Sequence, residues 1–318
     1  MMALRPFEFT CADYEAFAAM QRSVWPGYPE TVQEWKHWDS SRGSGTLFRR
    51  FLAEMDGVVV GAGLCCEPWR SSAPGKYHVS CDVHPEFRRQ GIGTALYDQL
   101  TDLLAEHGAT ILVARTREDR ADGLRFLARH GFEQVMRSPI SHLDLASFDA
   151  GRFADSLHRV AERGIEIVSL ARLAAAEPEW KQKLWALMRE LYLDVPSHES
   201  LPEQTLESFE ERSLRAPGFN ARAHFVALDG DRWVGTSSLW VPQGEPKKLY
   251  TGLTGVVRSH RRQGIASAMK VRGIAFARQM GAKIIQTDNE ENNPMYWLNL
   301  QLGFEPQPAW LDFRKELP

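Results

Sequence analysis

The sequence predicts an α/β protein built as two copies of one domain in a single chain. Three observations carry that prediction. The chain has 318 residues, about twice the ~150 of an ordinary domain. A segment rich in arginine and glycine occurs twice, as Val83-His84-Pro85-Glu86-Phe87-Arg88-Arg89-Gln90-Gly91-Ile92-Gly93 and as Val256-Val257-Arg258-Ser259-His260-Arg261-Arg262-Gln263-Gly264-Ile265-Ala266. Around each segment, strand-like and helix-like stretches alternate in the same order, which is the pattern of an α/β domain.

Two further landmarks repeat at nearly the same offset. Asp56-Gly57 returns as Asp229-Gly230, and Gly131-Phe132 returns as Gly303-Phe304. Each Asp-Gly follows an apolar run, Phe51-Leu52-Ala53 or Phe225-Val226-Ala227, and reads as a hairpin turn. A period as long as a whole domain excludes helical and β solenoids.

In the first copy, Tyr77–Val83 reads as a strand. Gly91–His107 reads as a helix with Ile92, Leu96, Leu100, Leu103 and Leu104 on its core face. Thr110–Ala114 reads as the next strand, and Asp122–His130 as a short helix ended by Gly131. His142–Leu145 alternates like a closing strand, and Ile165–Val168 like an opening one. The polar stretch between them, residues 149–163, reads as a linking helix and holds the seam. The predicted domains are therefore residues 1–150 and 160–318.

In the second copy, residues 248–257 form a strand whose glycines point to a bulge or a close backbone approach. A helix follows, with Ile265, Met269, Phe276 and Met280 at near-helical spacing, and Gly281 as its C-cap. Lys283–Thr287 reads as a buried strand and Pro294–Leu302 as a short helix that Gly303 ends.

Composition excludes several classes of function. Lys plus Arg number 38 against 41 Asp plus Glu, so nothing in the overall charge favours nucleic acid. No apolar run is long enough to span a membrane, and residues 1–10 lack the pattern of a signal peptide. The four cysteines, Cys11, Cys65, Cys66 and Cys81, show no disulfide or zinc spacing. They read as reduced buried thiols of a cytoplasmic protein. The ten histidines show no ligand spacing, so no metal is expected.

The repeated loop has the chemistry of a pyrophosphate site. A helix N-terminus offers unpaired amides and the positive end of the helix dipole. A diphosphate approaches several amides at once only where no Cβ intervenes, which accounts for Gly91, Gly93 and Gly264, with Ala266 as the smallest substitute. Arg88, Arg89, Arg261 and Arg262 add charge-assisted donors. The competing reading is a solvated basic turn before an amphipathic helix. A dinucleotide fingerprint fails, because the third glycine position holds Leu96 or Met269. A P-loop fails for want of a Gly-Lys-Ser/Thr.

Arg88-x-x-Gly91-x-Gly93 and Arg261-x-x-Gly264-x-Ala266, each between a strand and a helix, resemble the acyl-CoA signature of the GNAT N-acetyltransferases. Leu302-Gly303-Phe304 is similar to the end of that fold. The resemblance covers both halves, in a layout similar to that of the mycothiol synthases. It implies two tandem domains, each a mixed, mostly antiparallel, splayed sheet flanked by helices. It also implies acetyl-CoA or another acyl-CoA as cosubstrate, direct attack by a small-molecule or peptide amine, and no metal. The chain would act as a monomer or homodimer, with neither nucleic acid nor membrane as partner.

Carried over residue by residue, the resemblance assigns the acyl-CoA to Val83, Arg88, Arg89, Gln90, Gly91, Ile92, Gly93 and Thr94 in the first copy. In the second it assigns Val256, Val257, Arg261, Arg262, Gln263, Gly264, Ile265, Ala266 and Asn293. The tyrosine that many members place four residues before the Gly-Phe glycine is replaced by Leu127 and Asn299. Tyr296, one helical turn from Asn299, is the substitute acid, beside the reading of Tyr296 as a packing aromatic. Since the second copy keeps Asn293, Tyr296 and Asn299, it is the one expected to turn over. The first is then an acyl-CoA-binding copy or a scaffold. Candidates for the base are Asp82, Asp194, His198 and Glu199, with Thr251 and Thr254 as the polar residues where the second copy has Gly255. Trp25, Trp35, Trp38 and Tyr28 either shape an acceptor pocket or pack a core. Loss of the tyrosine in both copies also supports a non-catalytic acyl-CoA-binding module.

Overall fold

The structure is a computed structural model that describes residues 2–43, 45–68, 73–195 and 204–317. His198 and Glu199 lie outside the described residues. Contacts divide the chain into two units.

The first unit opens with β1 (Met2–Pro6), α1 (Cys11–Val24) and α2 (Val32–Ser40). β2 (Phe48–Met55), β3 (Val58–Cys66), β4 (Lys76–Val83), α3 (Ile92–Glu106), β5 (Ile111–Arg117) and α4 (Ala121–Arg129) follow. Strands β1 to β4 pair antiparallel, and β4 pairs parallel with β5. Asp56 and Gly57, at φ 50° and 81°, make the tight β2–β3 hairpin, a turn in which both central residues are left-handed. Side chains alternate across the strands. Leu52 and Ala62 face α1, where Tyr14, Phe17, Met20 and Val24 pack with Phe7. Ala53 and Val60 face α3, through Ile92 and Leu96. Thr10 caps α1, and Thr31 with Glu34 forms a capping box on α2, so both helices start where the sequence supplies a side-chain acceptor.

The second unit contains α5 (Ala154–Glu162), β7 (Ile165–Ser169), α6 (Leu170–Ala176), α7 (Trp180–Tyr192), α8 (Leu206–Phe209) and β8 (His224–Asp229). β9 (Arg232–Trp240), β10 (Lys248–Val256), α9 (Ile265–Gln279), β11 (Ile284–Asp288) and α10 (Pro294–Gln301) complete it. Its strand order repeats that of the first unit: antiparallel β7 to β10, then parallel β10–β11. The β10 glycines mark both a bulge and a close approach, as expected. The register shifts between Thr251 and Thr254, and a Cβ on Gly252 would lie 2.3 Å from Ser238 Oγ.

The last strands are exchanged between the halves of the chain. β6 (Glu133–Asp144) begins in the first unit, but its Ile140–Asp144 stretch pairs with β11 of the second. β12 (Glu305–Glu316) begins in the second unit, but Trp310–Glu316 pairs with β5 of the first. The contacts thus place residues from 138 onward in the second unit and those from 310 onward in the first. The sequence-based ranges 1–150 and 160–318 assume instead that each copy keeps its own closing strand. Alternation locates a strand but does not name its partner, so the exchange left no mark in the sequence. If the borrowed strand holds the first unit together, Phe313→Ala (7% exposed) should cost about 3–5 kcal/mol. Urea unfolding measures this, and a loss under about 1 kcal/mol would show the strand to be dispensable.

Among the described residues no helix is long and apolar enough to cross a membrane. The cysteines are unpaired, and only Cys65 and Cys66 are fully buried. Burial pushes the Cys65 thiol up to about 12. Cys11 is exposed, against the expectation of buried thiols throughout, because it opens α1 on the outward side.

Candidate active site

The two Arg-Gly loops fold alike. Arg89 and Arg262 take left-handed φ values of 64° and 62°, and Gly91 and Gly264 take 83° and 82°. Left-handed turns of this kind gather backbone N–H groups into an anion-binding concavity. Each loop runs into a helix, α3 or α9, whose N-cap is the glycine and has no side-chain cap. Their first-turn amides therefore remain available. Arg88 Nε donates to Val83 O at 3.2 Å, and Arg261 Nε to Val256 O at 3.0 Å. These two arginines brace the loop against the end of the preceding strand.

The surroundings of the loops differ. In the first unit, β4 and β5 pair only through Lys76, Tyr77 and His78. Beyond His78 the strands splay, and a cleft of about 760 Å³ opens between them. Val83, Arg88, Arg89, Gly91, Ile92, Gly93 and Thr94 line it. Of the loop residues assigned to the cofactor in the first copy, only exposed Gln90 is outside that lining. A Cβ built on Gly91 meets nothing within 4 Å, so the space over the amides is open. The loop and cleft fit a pyrophosphate with an extended arm.

In the second unit protein packs against the corresponding loop glycine, which is half-buried where Gly91 is exposed. A Cβ on Gly264 would lie 3.1 Å from Ser156 Oγ and 3.5 Å from Val160, both on α5. The expected linking helix therefore lies over the loop. Leu191 of α7 comes within 3.1 Å of a Cβ on Gly255, the position that corresponds to Asp82. Across the β10–β11 split, Thr251 Oγ1 donates to Thr287 Oγ1 at 2.6 Å, and Thr254 bonds Ser237 at 2.9 Å. Buried Lys270 also lines the void of about 10 Å³ at the split, its amine pushed down to about 8 by burial. Val256, Val257, Arg261, Arg262, Gln263, Gly264, Ile265, Ala266 and Asn293 do not border that void.

Two of the second loop's arginines, Arg258 and Arg261, are met by one carboxylate. Asp194 accepts from Arg258 (2.5 Å) and from Arg261. The Arg258 and Arg261 hydrogen bonds hold its carboxyl near 2 against a smaller opposing effect of burial, which makes Asp194 a weak base. Asn293 Oδ1 accepts from Met295 N at 2.9 Å and caps α10. Asn299 is 0% exposed. Its Nδ2 donates to Asn289 Oδ1 at 2.6 Å, and its Oδ1 is buried without a partner. Tyr296 is half-buried, with its ring edge-on to Trp297 at 5.7 Å. Tyr296 and Asn299 thus lie on α10, outside the lining of the second unit's void.

One candidate base faces the open cleft. Asp82, on β4, lines it one residue from the loop. Gln21 Nε2 donates to Asp82 Oδ2 at 2.9 Å, and Trp25 Nε1 donates to Asp82 Oδ1 at 3.0 Å. Burial raises the Asp82 pKa, opposed by these two bonds and by the Arg88 and Arg120 charges. Each oxygen keeps a second lone pair for an incoming N–H. Among the tryptophans of the N-terminal region, Trp25 lines the cleft, whereas Trp35 packs on Phe17 at 4.9 Å. Sequence reasoning missed Gln21 and Arg120.

The acetyltransferase (GNAT) family profile matches residues 12–132 and 183–304. The chain belongs to the acetyltransferase (GNAT) family. The two matches fall on the two copies, so the tandem α/β reading stands. Among solved structures, a tandem GNAT protein from the clavulanic acid biosynthesis pathway is similar over 99% of this chain and 98% of its own, at 20% identity and TM-score 0.76. A GCN5-related N-acetyltransferase from Sphaerobacter thermophilus is similar over 99% and 95%, at 18% identity and TM-score 0.69. A glucosamine N-acetyltransferase region of a fungal multi-domain GH3 β-N-acetylglucosaminidase is similar over 99% of this chain and 38% of that one, at 15% identity and TM-score 0.70. At such identities the likeness is one of fold. A comparison with curated proteins returns no match.

Members of this family generally use acetyl-CoA. Among the described residues, no group of three or more His, Cys, Asp or Glu side chains is placed to hold a metal ion.

Proposed function

We propose that this GNAT-family chain is an acyl-CoA-dependent N-acetyltransferase whose working site lies in the first unit, acting on a primary amine of a small molecule or peptide. The observation that carries this reading is the cleft that joins the Gly91 loop to the Asp82 carboxylate. The corresponding loop and base position of the second unit are covered by Ser156, Val160 and Leu191. On this reading the second unit is a scaffold, the reverse of the roles expected from the sequence.

The α3 N-terminal amides and Arg89 hold the pyrophosphate, and the splay of β4 from β5 receives the pantetheine arm. The bound thioester supplies an activated acyl group. Asp82 accepts a proton from the acceptor's ammonium, leaving a free amine beside the cleft. The amine nitrogen then bonds to the acyl carbon as the carbon–sulfur bond breaks and its electron pair leaves with the sulfur. The proton that the nitrogen sheds on becoming an amide passes to the departing thiolate, which is released as the thiol. Gln21 and Trp25 fix the orientation of Asp82, so the base is in position before the acceptor arrives.

The test is thiol release from acetyl-CoA across a panel of small amines and peptides. Turnover that Gly91→Glu abolishes supports the reading. Acetyl-CoA binding with no turnover of any amine would contradict it and favour a non-catalytic acyl-CoA-binding module.

A further inference from the structure

Arg120, the N-cap residue of α4, lines the same cleft as Asp82. Its Nη2 donates to Val24 O at 3.2 Å, and its guanidinium lies 4.9 Å from the Trp25 ring centroid. Its Nε is buried with no hydrogen-bond partner. Among the described residues no carboxylate forms an ion pair with it. Of the other arginines of the lining, Arg115 pairs with Asp312 at 3.2 Å and Arg125 with Asp122 at 2.6 Å, Arg88 braces the loop through Val83 O, and Arg89 and Arg129 are exposed to water. A half-buried guanidinium with no carboxylate in contact, balanced only by the charge of nearby Asp82, is better satisfied when a ligand supplies an anion.

Trp25 ties Arg120 to the base. Its indole N–H holds Asp82, and its face carries Arg120. Trp310 packs on the indole with ring centroids 5.3 Å apart, and Tyr28 packs in turn on Trp310 at 5.6 Å. A carboxylate for an ammonium and a guanidinium for an oxyanion are thus mounted on one rigid aromatic ring. The pyrophosphate has its own amides at Gly91, so Arg120 is left for the second substrate.

We infer that the acceptor is a primary amine carrying an oxyanion, an amino-acid-like zwitterion whose amine meets Asp82 and whose oxyanion meets Arg120. The planar guanidinium binds carboxylate and phosphonate oxygens alike, in a two-pronged geometry. The inference rests on the transferase reading of the first unit and specifies its substrate class.

The experiment compares phenylalanine, its phosphonate analogue and phenylalanine amide as acceptors at saturating acetyl-CoA. Either oxyanion acceptor should exceed the amide at least tenfold in kcat/KM, and whichever leads identifies the anion. Arg120→Gln should remove that advantage, chiefly through the acceptor KM. Equal use of all three by the unaltered protein overturns the inference. So does an Arg120→Gln variant that keeps the preference while the KM for acetyl-CoA rises, since Arg120 would then serve the acyl donor. If other amines are acetylated without regard to an oxyanion, the inference falls and the transferase reading survives. If acetyl-CoA binds and no amine of any kind is acetylated, both fall.

Discussion

Asp82→Asn should lower kcat/KM for the amine about 10²-fold or more while leaving the affinity for acetyl-CoA within about twofold. Asparagine is nearly isosteric, its oxygen still accepts from Trp25 Nε1 and its NH2 can donate to a turned Gln21 carbonyl, but it has no basic lone pair of useful strength. General-base assistance of this kind contributes about 10² to 10⁴, so the loss should be read in turnover. The pH profile gives an independent check. A base works only when deprotonated, so kcat/KM should fall as pH falls through the Asp82 pKa. Burial raises that pKa, so the acid limb should sit above the ordinary aspartate value of about 3.9. In Asp82→Asn that limb should be gone. A variant with normal turnover and an unchanged profile would remove Asp82 as the base.

Gly91→Glu should raise the KM for acetyl-CoA by about 10²-fold or more. The side chain would enter the open space over the α3 amides and bring a negative charge to a pyrophosphate site. Gly264→Glu should behave in the opposite way. Its Cβ would meet Ser156 and Val160, so stability should fall while the KM for acetyl-CoA stays unchanged. The pair separates the two loops, which the sequence makes nearly identical. Thermal unfolding checks that each variant is folded at the assay temperature. If Gly264→Glu, once folded, loses acetyl-CoA binding and Gly91→Glu does not, the assignment of the units is reversed.

The repeated loop was legible because its chemistry is local. Arg89, Gly91 and the uncapped α3 start lie within a few residues of one another, and a motif is sufficient to find them. The β10 bulge was legible for the same reason, from Gly252 and Gly255 within one strand. What surrounds the loops was not. Gln21 and Trp25 reach Asp82 from 61 and 57 residues away, and no spacing rule links them. Ser156 and Val160 sit on a helix that reads as a polar linker, and only packing shows that it covers Gly264.

Asn293 and Asn299 illustrate the limit of carrying a family position over by number. Asn293 stands where the resemblance puts an asparagine and Asn299 where it puts a tyrosine, yet one side chain caps α10 and the other is buried against Asn289. A motif fixes where a residue stands in the sequence and leaves open which way its side chain points. Likewise the exchange of β6 and β12 depends on strand partners, which are set by long-range register rather than by alternation.

The central claim is that one unit binds the acyl donor and the other does not. Calorimetric titration of the intact protein with acetyl-CoA, repeated on Gly91→Glu, tests it most directly. A single site per chain is expected in the unaltered protein, with no measurable binding in Gly91→Glu. Two sites per chain, or one site that survives Gly91→Glu, would contradict it.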